Sequence, residues 1–287
     1  MKVAVTGGSG FIGRLVVREL ATRPDLEIVA TSRKRRFEGW PESVMHAALD
    51  LADIAPEEAF DRLGRPDAVI HLAWEGLPNY KALHHFETQL QLQYRFLRGL
   101  VDAGLRSLTC AGTCFEYGMG SGELKEEMPT DPCNPYGFAK DVLHRQLDFL
   151  RAQRPFDLTW ARLFYMYGDG QPASSLYTQF CAACARGDAA FKMSGGEQLR
   201  DFLPAAEVAR ILVSLALDAP GSGSVNVCSG TPVSVRSIVE RWRAEHGWSI
   251  KLDLGHYPYP DYEPMAFWGR ADRLRQLLPL RSSESPA

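Results

Sequence analysis

The sequence predicts an α/β fold in which helices cover both faces of a doubly wound parallel sheet, with a smaller mixed α/β region beside it. Strand-like and helix-like segments alternate through the first two thirds of the chain. A glycine-rich turn at residues 6–13 directly follows the first strand-like run, as at the first turn of such sheets. Beyond Phe164, glycines, prolines and aromatic residues become frequent and the elements shorten, which predicts the smaller region.

Each predicted strand is a short run of β-branched and small apolar residues between turn signals. The predicted strands cover residues 2–6, 27–31, 44–49, 68–72, 107–112, 158–163 and 225–228. The first helix is predicted at residues 11–22 from four apolar residues at helical spacing, Ile12, Leu15, Val16 and Leu20. Two long helical stretches fill residues 80–103 and 136–153. Right-handed crossovers between parallel strands then place helices on both faces of the sheet.

The last part of the chain is predicted to be less regular. Residues 257–264 contain three prolines, so they must be mostly extended or turn, because proline lacks an N–H and restricts the residue before it. The tail at residues 281–287 is expected to be frayed.

The composition is that of a globular protein, with 45% hydrophobic and 23% charged residues among 287. A net charge of -3 gives no electrostatic case for nucleic acid or an anionic membrane as a partner. No apolar run reaches the roughly 18 residues that a membrane helix needs. Because Met1 and Lys2 lead straight into a strand, we expect no signal peptide, a cytoplasmic location and reduced cysteines. Cys181 and Cys184 form an isolated CxxC pair, for which we expect packing and no metal.

The turn at residues 6–13 has the spacing of a phosphate-binding loop. Gly7 permits the tight turn, Gly10 lets backbone approach a phosphate, and Gly13 allows close packing of helix and sheet. The N-terminus of the following helix offers free N–H groups and a positive dipole to a pyrophosphate. A glycine-rich turn without a ligand is the alternative. The predicted dinucleotide-binding residues of this turn are Gly7, Ser9, Gly10, Phe11, Ile12 and Gly13.

Tyr136 and Lys140 lie four residues apart, so on a helix their side chains share one face. A free tyrosine has a pKa of about 10, and a nearby ammonium favours the phenolate and lowers that pKa. We therefore predict that Tyr136 is the general acid when a ketone is reduced, or the general base in the reverse direction. Asn134 and Pro135 suit the start of this helix. An ordinary amphipathic helix is the alternative.

Together these motifs resemble those of the extended short-chain dehydrogenase/reductases, in the NAD-dependent epimerase/dehydratase family that acts on nucleotide sugars. The Gly-x-x-Gly-x-x-Gly spacing and the Tyr-x-x-x-Lys pair carry the resemblance, which covers nearly the whole chain. It implies a Rossmann sheet. The dinucleotide-binding domain is predicted at residues 1–164 with a return of 196–230, and the substrate-binding region at 165–195 and 231–287.

The resemblance also assigns a third catalytic residue. The family's catalytic Ser/Thr precedes a Tyr-Gly pair by four residues, which corresponds here to Thr113, at the carboxyl end of the fifth strand. Its hydroxyl is expected to bond the substrate carbonyl or the Tyr136 oxygen. A strand-end threonine that bonds its own backbone is the alternative.

The end of the second strand bears on which dinucleotide binds. An NAD enzyme usually has Asp or Glu there to accept a hydrogen bond from the ribose 2′-hydroxyl. Ser32 and Arg33 stand there instead and suit a 2′-phosphate, so we predict NADP (NADPH), with NAD less favoured. A solvated basic loop is the alternative. Further cofactor contacts that the resemblance implies are Asp50, Leu51, Leu72, Ala73 and Lys140.

A substrate site follows from the same resemblance. Tyr165 stands where the family's Arg-x-x-Asn-x-Tyr-Gly segment has an Asn that touches the sugar nucleotide. Arg200, in an Arg-Asp-Phe segment, corresponds to a diphosphate contact, with a salt bridge to Asp201 or Glu207 as the alternative. The predicted substrate-binding residues are Thr113, Cys114, Tyr136, Tyr165, Arg200 and Trp268. Trp268 is one of four candidates, with Tyr257, Tyr259 and Arg270, to replace a second diphosphate arginine that residues 256–268 lack.

The residues after Thr113 narrow the choice of reaction. The family's dehydratases place Asp-Glu there, and its C3/C5 epimerases place an acid or thiol two residues after the Ser/Thr, whereas this chain has Cys114 and Phe115. We predict NADPH-dependent reduction of the 4-keto group of a nucleotide-linked 4-keto-6-deoxyhexose, in deoxysugar and polysaccharide biosynthesis. A nucleotide-sugar 4-epimerase using NAD(P) and a non-catalytic NADP-binding protein are the alternatives. By analogy we expect a homodimer through the helices at residues 80–103 and 136–153.

Overall fold

The computed structural model describes residues 1–279 and has the predicted α/β fold. Its strands are β1 (Lys2–Thr6), β2 (Glu27–Ser32), β3 (Met45–Ala48), β4 (Ala68–His71), β5 (Ser107–Thr113), β6 (Gly122–Leu124), β7 (Asp157–Leu163), β8 (Tyr165–Tyr167), β9 (Ala190–Lys192), β10 (Leu199–Pro204), β11 (Gly223–Val227), β12 (Pro232–Ser234), β13 (Lys251–Asp253) and β14 (Phe267–Gly269). Its α-helices are α1 (Phe11–Leu20), α2 (Pro56–Arg62), α3 (Leu90–Asp102), α4 (Pro135–Gln153), α5 (Leu176–Arg186), α6 (Ala205–Leu217), α7 (Val235–Glu245) and α8 (Asp272–Leu277). The tail at residues 281–287, expected to be frayed, lies outside the described residues.

Seven parallel strands form the central sheet in the order β3-β2-β1-β4-β5-β7-β11. The chain starts at β1, moves outward through β2 and β3, and then returns to the other side of β1 at β4. At such a reversal the connections leave β1 and β4 on opposite faces, which opens a crevice at the carboxyl ends of the strands. Thr6 and His71 are partners in the register at this point.

Side chains of each strand alternate between two cores. Val3 and Val5 belong to the core with α1 and α6, whereas Ala4 between them belongs to the core with α2, α3 and α4. Because both faces are covered, the strands are almost entirely apolar, as a buried parallel sheet requires. The sheet is therefore a packed platform, and polar side chains collect at the ends of its strands.

The smaller region has its own sheets and core. β10 pairs with β8 in parallel and with β12 in antiparallel orientation, and β9 pairs with β13. Phe180, Phe191 and Trp242 are buried in its core. One pairing, β6 with β14, joins the first half of the chain to its end. The domain limits predicted from the sequence stay a prediction.

The helix predicted over residues 80–103 is wrong at its start. A π-helical turn, His85–Gln89, comes first, and α3 follows it. Hydrogen bonds explain the later start, because the Tyr80 carbonyl accepts from the Tyr136 N–H at 3.2 Å and the His85 ring donates to the Asn79 carbonyl at 2.8 Å. These bonds hold residues 79–80 against α4 and place Tyr80 on the wall of the cavity described next.

Candidate active site

The turn between β1 and α1 forms a cradle of backbone atoms. Gly7 has a φ of +69°, and a Cβ atom there would lie 2.8 Å from the Ala73 nitrogen. A Cβ atom at Gly13 would lie 2.1 Å from the Gly7 carbonyl oxygen, so only glycine permits this approach of helix to strand. Gly10 caps α1 without a side-chain hydrogen bond, which leaves the first N–H groups of the helix available to an anion. The cradle therefore fits the diphosphate of a dinucleotide.

A cavity of about 430 Å³ brings this cradle together with the Tyr136 motif. It lies at the carboxyl ends of the central strands. The predicted site residues that line it are Gly7, Gly10, Phe11, Ile12, Gly13, Leu72, Thr113, Cys114, Tyr136, Lys140 and Tyr165. Two motifs that are distant in the sequence thus face one space.

A second, open cleft of about 800 Å³ lies at the carboxyl end of β2. The predicted cofactor residues on it are Ser9, Ser32, Arg33 and Asp50. Ser32 Oγ donates to the Arg35 carbonyl and lies 2.9 Å from His46 Nε2. Arg33 is exposed and pairs with Glu75 at 2.7 Å. The cleft is therefore basic and carries a hydroxyl that the backbone holds in place.

Four predicted site residues line neither space: Leu51, Ala73, Arg200 and Trp268. Leu51 packs against the core on the α2–α4 side of the sheet. The Ala73 N–H donates to Thr6 Oγ1 at 3.4 Å. Trp268 lies on β14 at the register position of Glu123. Their predicted ligand contacts stay predictions.

His71, at the end of β4, is a fully bonded core residue. Its Nδ1 accepts from the Thr6 hydroxyl at 2.8 Å, and its Nε2 donates to Gln93 Oε1 at 2.8 Å. Burial lowers the pKa of His71 to about 3, so the ring is neutral. Thr6 Oγ1 also accepts from the Leu72 N–H at 3.2 Å, so this chain of bonds fixes the segment that follows β4.

Thr113 ends β5 and begins a 3₁₀ turn, Cys114–Tyr117, as its cap. Its hydroxyl oxygen accepts from the Phe115 N–H at 3.3 Å, and its own N–H donates to Glu116 Oε1 at 2.9 Å. This reciprocal pair is a capping box. The side chain of Thr113 also acts on Tyr136, because it lowers the pKa of the Tyr136 phenol. The backbone-bonded threonine considered as the alternative is thus present, and the catalytic role of Thr113 stays a prediction.

Glu116 is completely buried under the cavity and joins β5 to β7. Its carboxylate accepts from Trp160 Nε1 at 2.9 Å and from Arg162 Nε at 2.6 Å, in addition to the Thr113 N–H. Arg162 in turn donates to the Tyr117 hydroxyl at 3.0 Å. Burial alone would lower the pKa of Arg162, but Glu116 raises it above its ordinary value, so the pair is charged.

The sequence analysis predicts that the Lys140 ammonium lowers the pKa of Tyr136, and this prediction is wrong. Burial raises the pKa of Tyr136 well above its ordinary value, and the side chain of Thr113 offsets only part of this effect. The Lys140 ammonium lies 5.9 Å from the Tyr136 ring centroid. It donates instead to the Ala111 carbonyl at 2.8 Å. Tyr136 therefore holds its proton firmly at neutral pH.

Lys140 is buried beside this phenol, with 3% of its surface exposed. Burial lowers the pKa of Lys140 to about 8, against smaller opposing effects of Cys110 and Glu116. Its Nζ lies 4.0 Å from the ring centroid of Trp74, on the cavity wall. Lys140 is therefore still mostly an ammonium at pH 7.

Arg200 makes neither of the salt bridges considered from the sequence. Its guanidinium pairs with Glu263 at 2.9 Å, and only 2% of its side chain is exposed. The other Glu263 oxygen accepts from the Tyr165 hydroxyl. A diphosphate contact of Arg200 stays a prediction and would require this ion pair to open or to be shared. Of Arg200, Glu263 and Tyr165, only Tyr165 is among the described residues that line the cavity.

The comparisons with known proteins agree with this geometry. A model described as the NAD dependent epimerase/dehydratase family matches residues 3–228. The chain belongs to this family. The dTDP-6-deoxy-L-talose 4-dehydrogenase (NAD(+)) of Aggregatibacter actinomycetemcomitans is 30% identical over 275 residues, which cover 94% of this chain and 99% of that relative. The dTDP-6-deoxy-L-talose 4-dehydrogenase (NAD(P)(+)) of Kitasatospora kifunensis is 28% identical and covers 94% and 87% of the two chains.

Solved structures show the same fold as this epimerase/dehydratase family member. MoeE5 in complex with UDP-glucuronic acid and NAD has a TM-score of 0.79 at 26% identity, with 97% of this chain and 92% of that chain covered. The UDP-glucuronic acid 4-epimerase of Bacillus cereus has a TM-score of 0.84 at 19% identity, with 100% and 95% covered. Within residues 1–279, no helix is long and apolar enough to cross a membrane.

Three residues of this family member escaped the sequence analysis: Trp74, Glu116 and Glu263. Glu116 stands three residues after Thr113, which is the Thr-x-x-Glu spacing of a capping box and could have been found. Trp74 and Glu263 gave no such signal, because their partners Lys140 and Tyr165 are distant in the sequence.

Proposed function

We propose that this protein is an NADPH-dependent reductase of the 4-keto group of a nucleotide-linked 4-keto-6-deoxyhexose. The observation that carries the proposal is one cavity that joins a dinucleotide cradle to a phenol that keeps its proton. Cys114 and Phe115 are buried and stand where the family's dehydratases have Asp-Glu. The site thus holds a proton donor and lacks that acidic pair.

The relatives support the position on the sugar. Two of them are named as 4-dehydrogenases of dTDP-6-deoxy-L-talose, and a third as a GDP-6-deoxy-D-talose 4-dehydrogenase. Oxidation of a C4 hydroxyl and reduction of a C4 ketone are one reaction in opposite directions. A 4-keto-6-deoxyhexose carried on a nucleoside diphosphate is therefore the substrate class that we propose, with dTDP and GDP as the first bases to test.

The residues of the chain divide the chemistry between them. When bound in the cradle, the nicotinamide supplies a hydride for the carbonyl carbon. Tyr136 donates its proton to the carbonyl oxygen as that oxygen gains charge, and water restores the phenol afterwards. Thr113 orients the carbonyl through its hydroxyl. The Lys140 ammonium would hold ribose hydroxyls of the cofactor and would stabilise the phenolate that remains on Tyr136.

The direct test is a panel of substrates. NADPH or NADH absorbance is followed with dTDP- and GDP-linked 4-keto-6-deoxyhexoses, and the reverse reaction with 6-deoxytalose nucleotides. We expect NADPH consumption with at least one keto sugar and a product reduced at C4. Interconversion of C4 epimers with no added cofactor would overturn the proposal in favour of an epimerase. No turnover with any sugar would indicate a non-catalytic dinucleotide-binding protein.

The cofactor choice has its own prediction. Arg33→Ala is expected to raise the KM for NADPH about tenfold, or about 1.4 kcal/mol for one charge-assisted contact, and to leave the KM for NADH unchanged. The matched control is Glu75→Gln, which removes the present partner of Arg33 and should not weaken NADPH binding. Equal effects of Arg33→Ala on both cofactors would contradict NADP preference.

Assembly and location complete the proposal. Phe138 and Phe149 of α4 are exposed, by 46% and 75%, and Phe138 contacts Phe86 in an edge-to-face pair. This apolar surface supports a homodimer through α3 and α4.

The cysteines of residues 1–279 are all free thiols, which supports a reducing compartment such as the cytoplasm.

A further inference from the structure

The indole of Trp74 faces the ammonium of Lys140. Lys140 Nζ lies 4.0 Å from the Trp74 ring centroid, well within the distance of a cation–π interaction. The same indole meets the Tyr136 ring edge-to-face, with 5.8 Å between centroids. Trp74 is half-buried and lines the cavity. It therefore contacts two of the three proposed catalytic side chains without being one of them.

A second residue fixes the orientation of this indole. Trp74 Nε1 donates to His85 Nδ1 at 3.0 Å, and His85 Nε2 donates to the Asn79 carbonyl at 2.8 Å. Burial lowers the pKa of His85, so the neutral ring can accept from the indole. The chain Asn79–His85–Trp74 thus holds the face of the ring toward Lys140.

The charged and titratable groups around Lys140 determine how much the face of the Trp74 ring can affect its pKa. Cys110 on β5 and Glu116 after it act to raise the Lys140 pKa, while His71 and His85 are neutral and Tyr136 is a protonated phenol. Within residues 1–279, no carboxylate forms an ion pair with Lys140. Its direct partners there are the Ala111 carbonyl and the rings of Trp74 and Tyr136.

We propose that Trp74 is a positioning residue of this site, whose indole holds the Lys140 ammonium in place and favours its charged form. The inference rests on the proposed function, because that function needs a charged Lys140 next to the cofactor ribose. The sign of the effect follows from the geometry. Removal of the indole face withdraws stabilisation from the ammonium, so the Lys140 pKa falls and the neutral amine appears at lower pH.

The experiment measures Lys140 in the cofactor-free protein. Competitive acetylation across pH, read by mass spectrometry, gives the pKa of this one lysine. For Trp74→Leu we expect the Lys140 pKa to fall by about one unit, which is a tenfold rise in its acid dissociation constant. Trp74→Phe keeps an aromatic face and should restore part of the shift. Phe115→Leu, on the same cavity but without a Lys140 contact, is the matched control and should not move it.

Activity supplies the second measurement. The alkaline limb of the kcat/KM profile should move to lower pH in Trp74→Leu by the same amount as the Lys140 pKa. A folded Trp74→Leu with an unchanged Lys140 pKa overturns the inference, whatever its activity. If the Lys140 pKa falls in Trp74→Leu but the unsubstituted protein reduces no keto sugar, the role of Trp74 is supported and the proposed function is refuted instead. If Trp74→Leu does not fold, His85→Phe frees the indole and should lower the Lys140 pKa in the same direction; no shift there refutes the inference.

Discussion

Tyr136→Phe is expected to lower turnover about 10²–10⁴-fold, the usual contribution of a positioned general acid, while dinucleotide binding changes little. The substitution removes one hydroxyl and keeps the ring. That ring packs against Trp74, Tyr80 and His85, with centroids 5.8, 5.7 and 5.3 Å away. The loss should therefore fall on kcat and on kcat/KM equally, as for an interaction made only in the transition state.

Single-turnover NADPH oxidation and a fluorescence titration of NADPH binding check this result together. Tyr80→Phe is the control, because Tyr80 lines the same cavity and contacts Tyr136 but has no proposed proton transfer. It should keep turnover within a few-fold of the unchanged protein. Turnover in Tyr136→Phe at the level of this control would remove Tyr136 from the mechanism.

The raised pKa of Tyr136 also fixes the direction in which the reaction depends on pH. Reduction needs the protonated phenol, and burial keeps it protonated well beyond neutral pH. The loss of reduction on the alkaline side should therefore follow Lys140, whose pKa is about 8, and not Tyr136. The reverse oxidation needs the phenolate and should rise with pH up to about pH 8, above which Lys140 loses its charge.

Glu116→Ala is expected to destabilise the protein by about 3–5 kcal/mol, the cost of removing one partner of a buried ion pair. The substitution leaves Arg162, which is 4% exposed, without its carboxylate. It also leaves the Thr113 N–H and Trp160 Nε1 without acceptors. Against a typical total of about 5–15 kcal/mol, such a loss is large.

Urea unfolding followed by circular dichroism measures this change. Glu240→Ala is the control, because Glu240 pairs with Arg236 at 2.8 Å on the surface and should contribute less than about 1 kcal/mol. Glu116→Gln keeps an acceptor for the Thr113 N–H and should fall between the two. Equal stabilities of Glu116→Ala and Glu240→Ala would show that the buried network adds no net stability.

Local signals in the sequence were sufficient to predict the alternation of strands and helices and the cradle between β1 and α1. The glycine spacing at Gly7, Gly10 and Gly13 encodes a close backbone approach, and the strands alternate with helices as the sequence pattern indicates. The pKa values and ion pairs that depend on tertiary packing could not be predicted from the sequence. The rise in the Tyr136 pKa comes from burial, with smaller contributions from Tyr80, Glu116 and Cys114, which no spacing rule contains. The partner of Arg200 likewise comes from Glu263, on the proline-rich segment, and not from its own neighbours in the chain.

The pairing of β6 with β14 constrains how this protein can exchange parts with its relatives. Gly122–Leu124 belongs to the segment between β5 and α4, and Phe267–Gly269 lies near the end of the described chain. A hybrid that takes its carboxyl-terminal third from a relative would place a foreign strand against a resident one, beside the buried cluster that contains Leu124, Phe164 and Phe267. Recombination that swaps substrate preference must therefore carry both short strands together, which a single crossover between Leu124 and Phe267 cannot do.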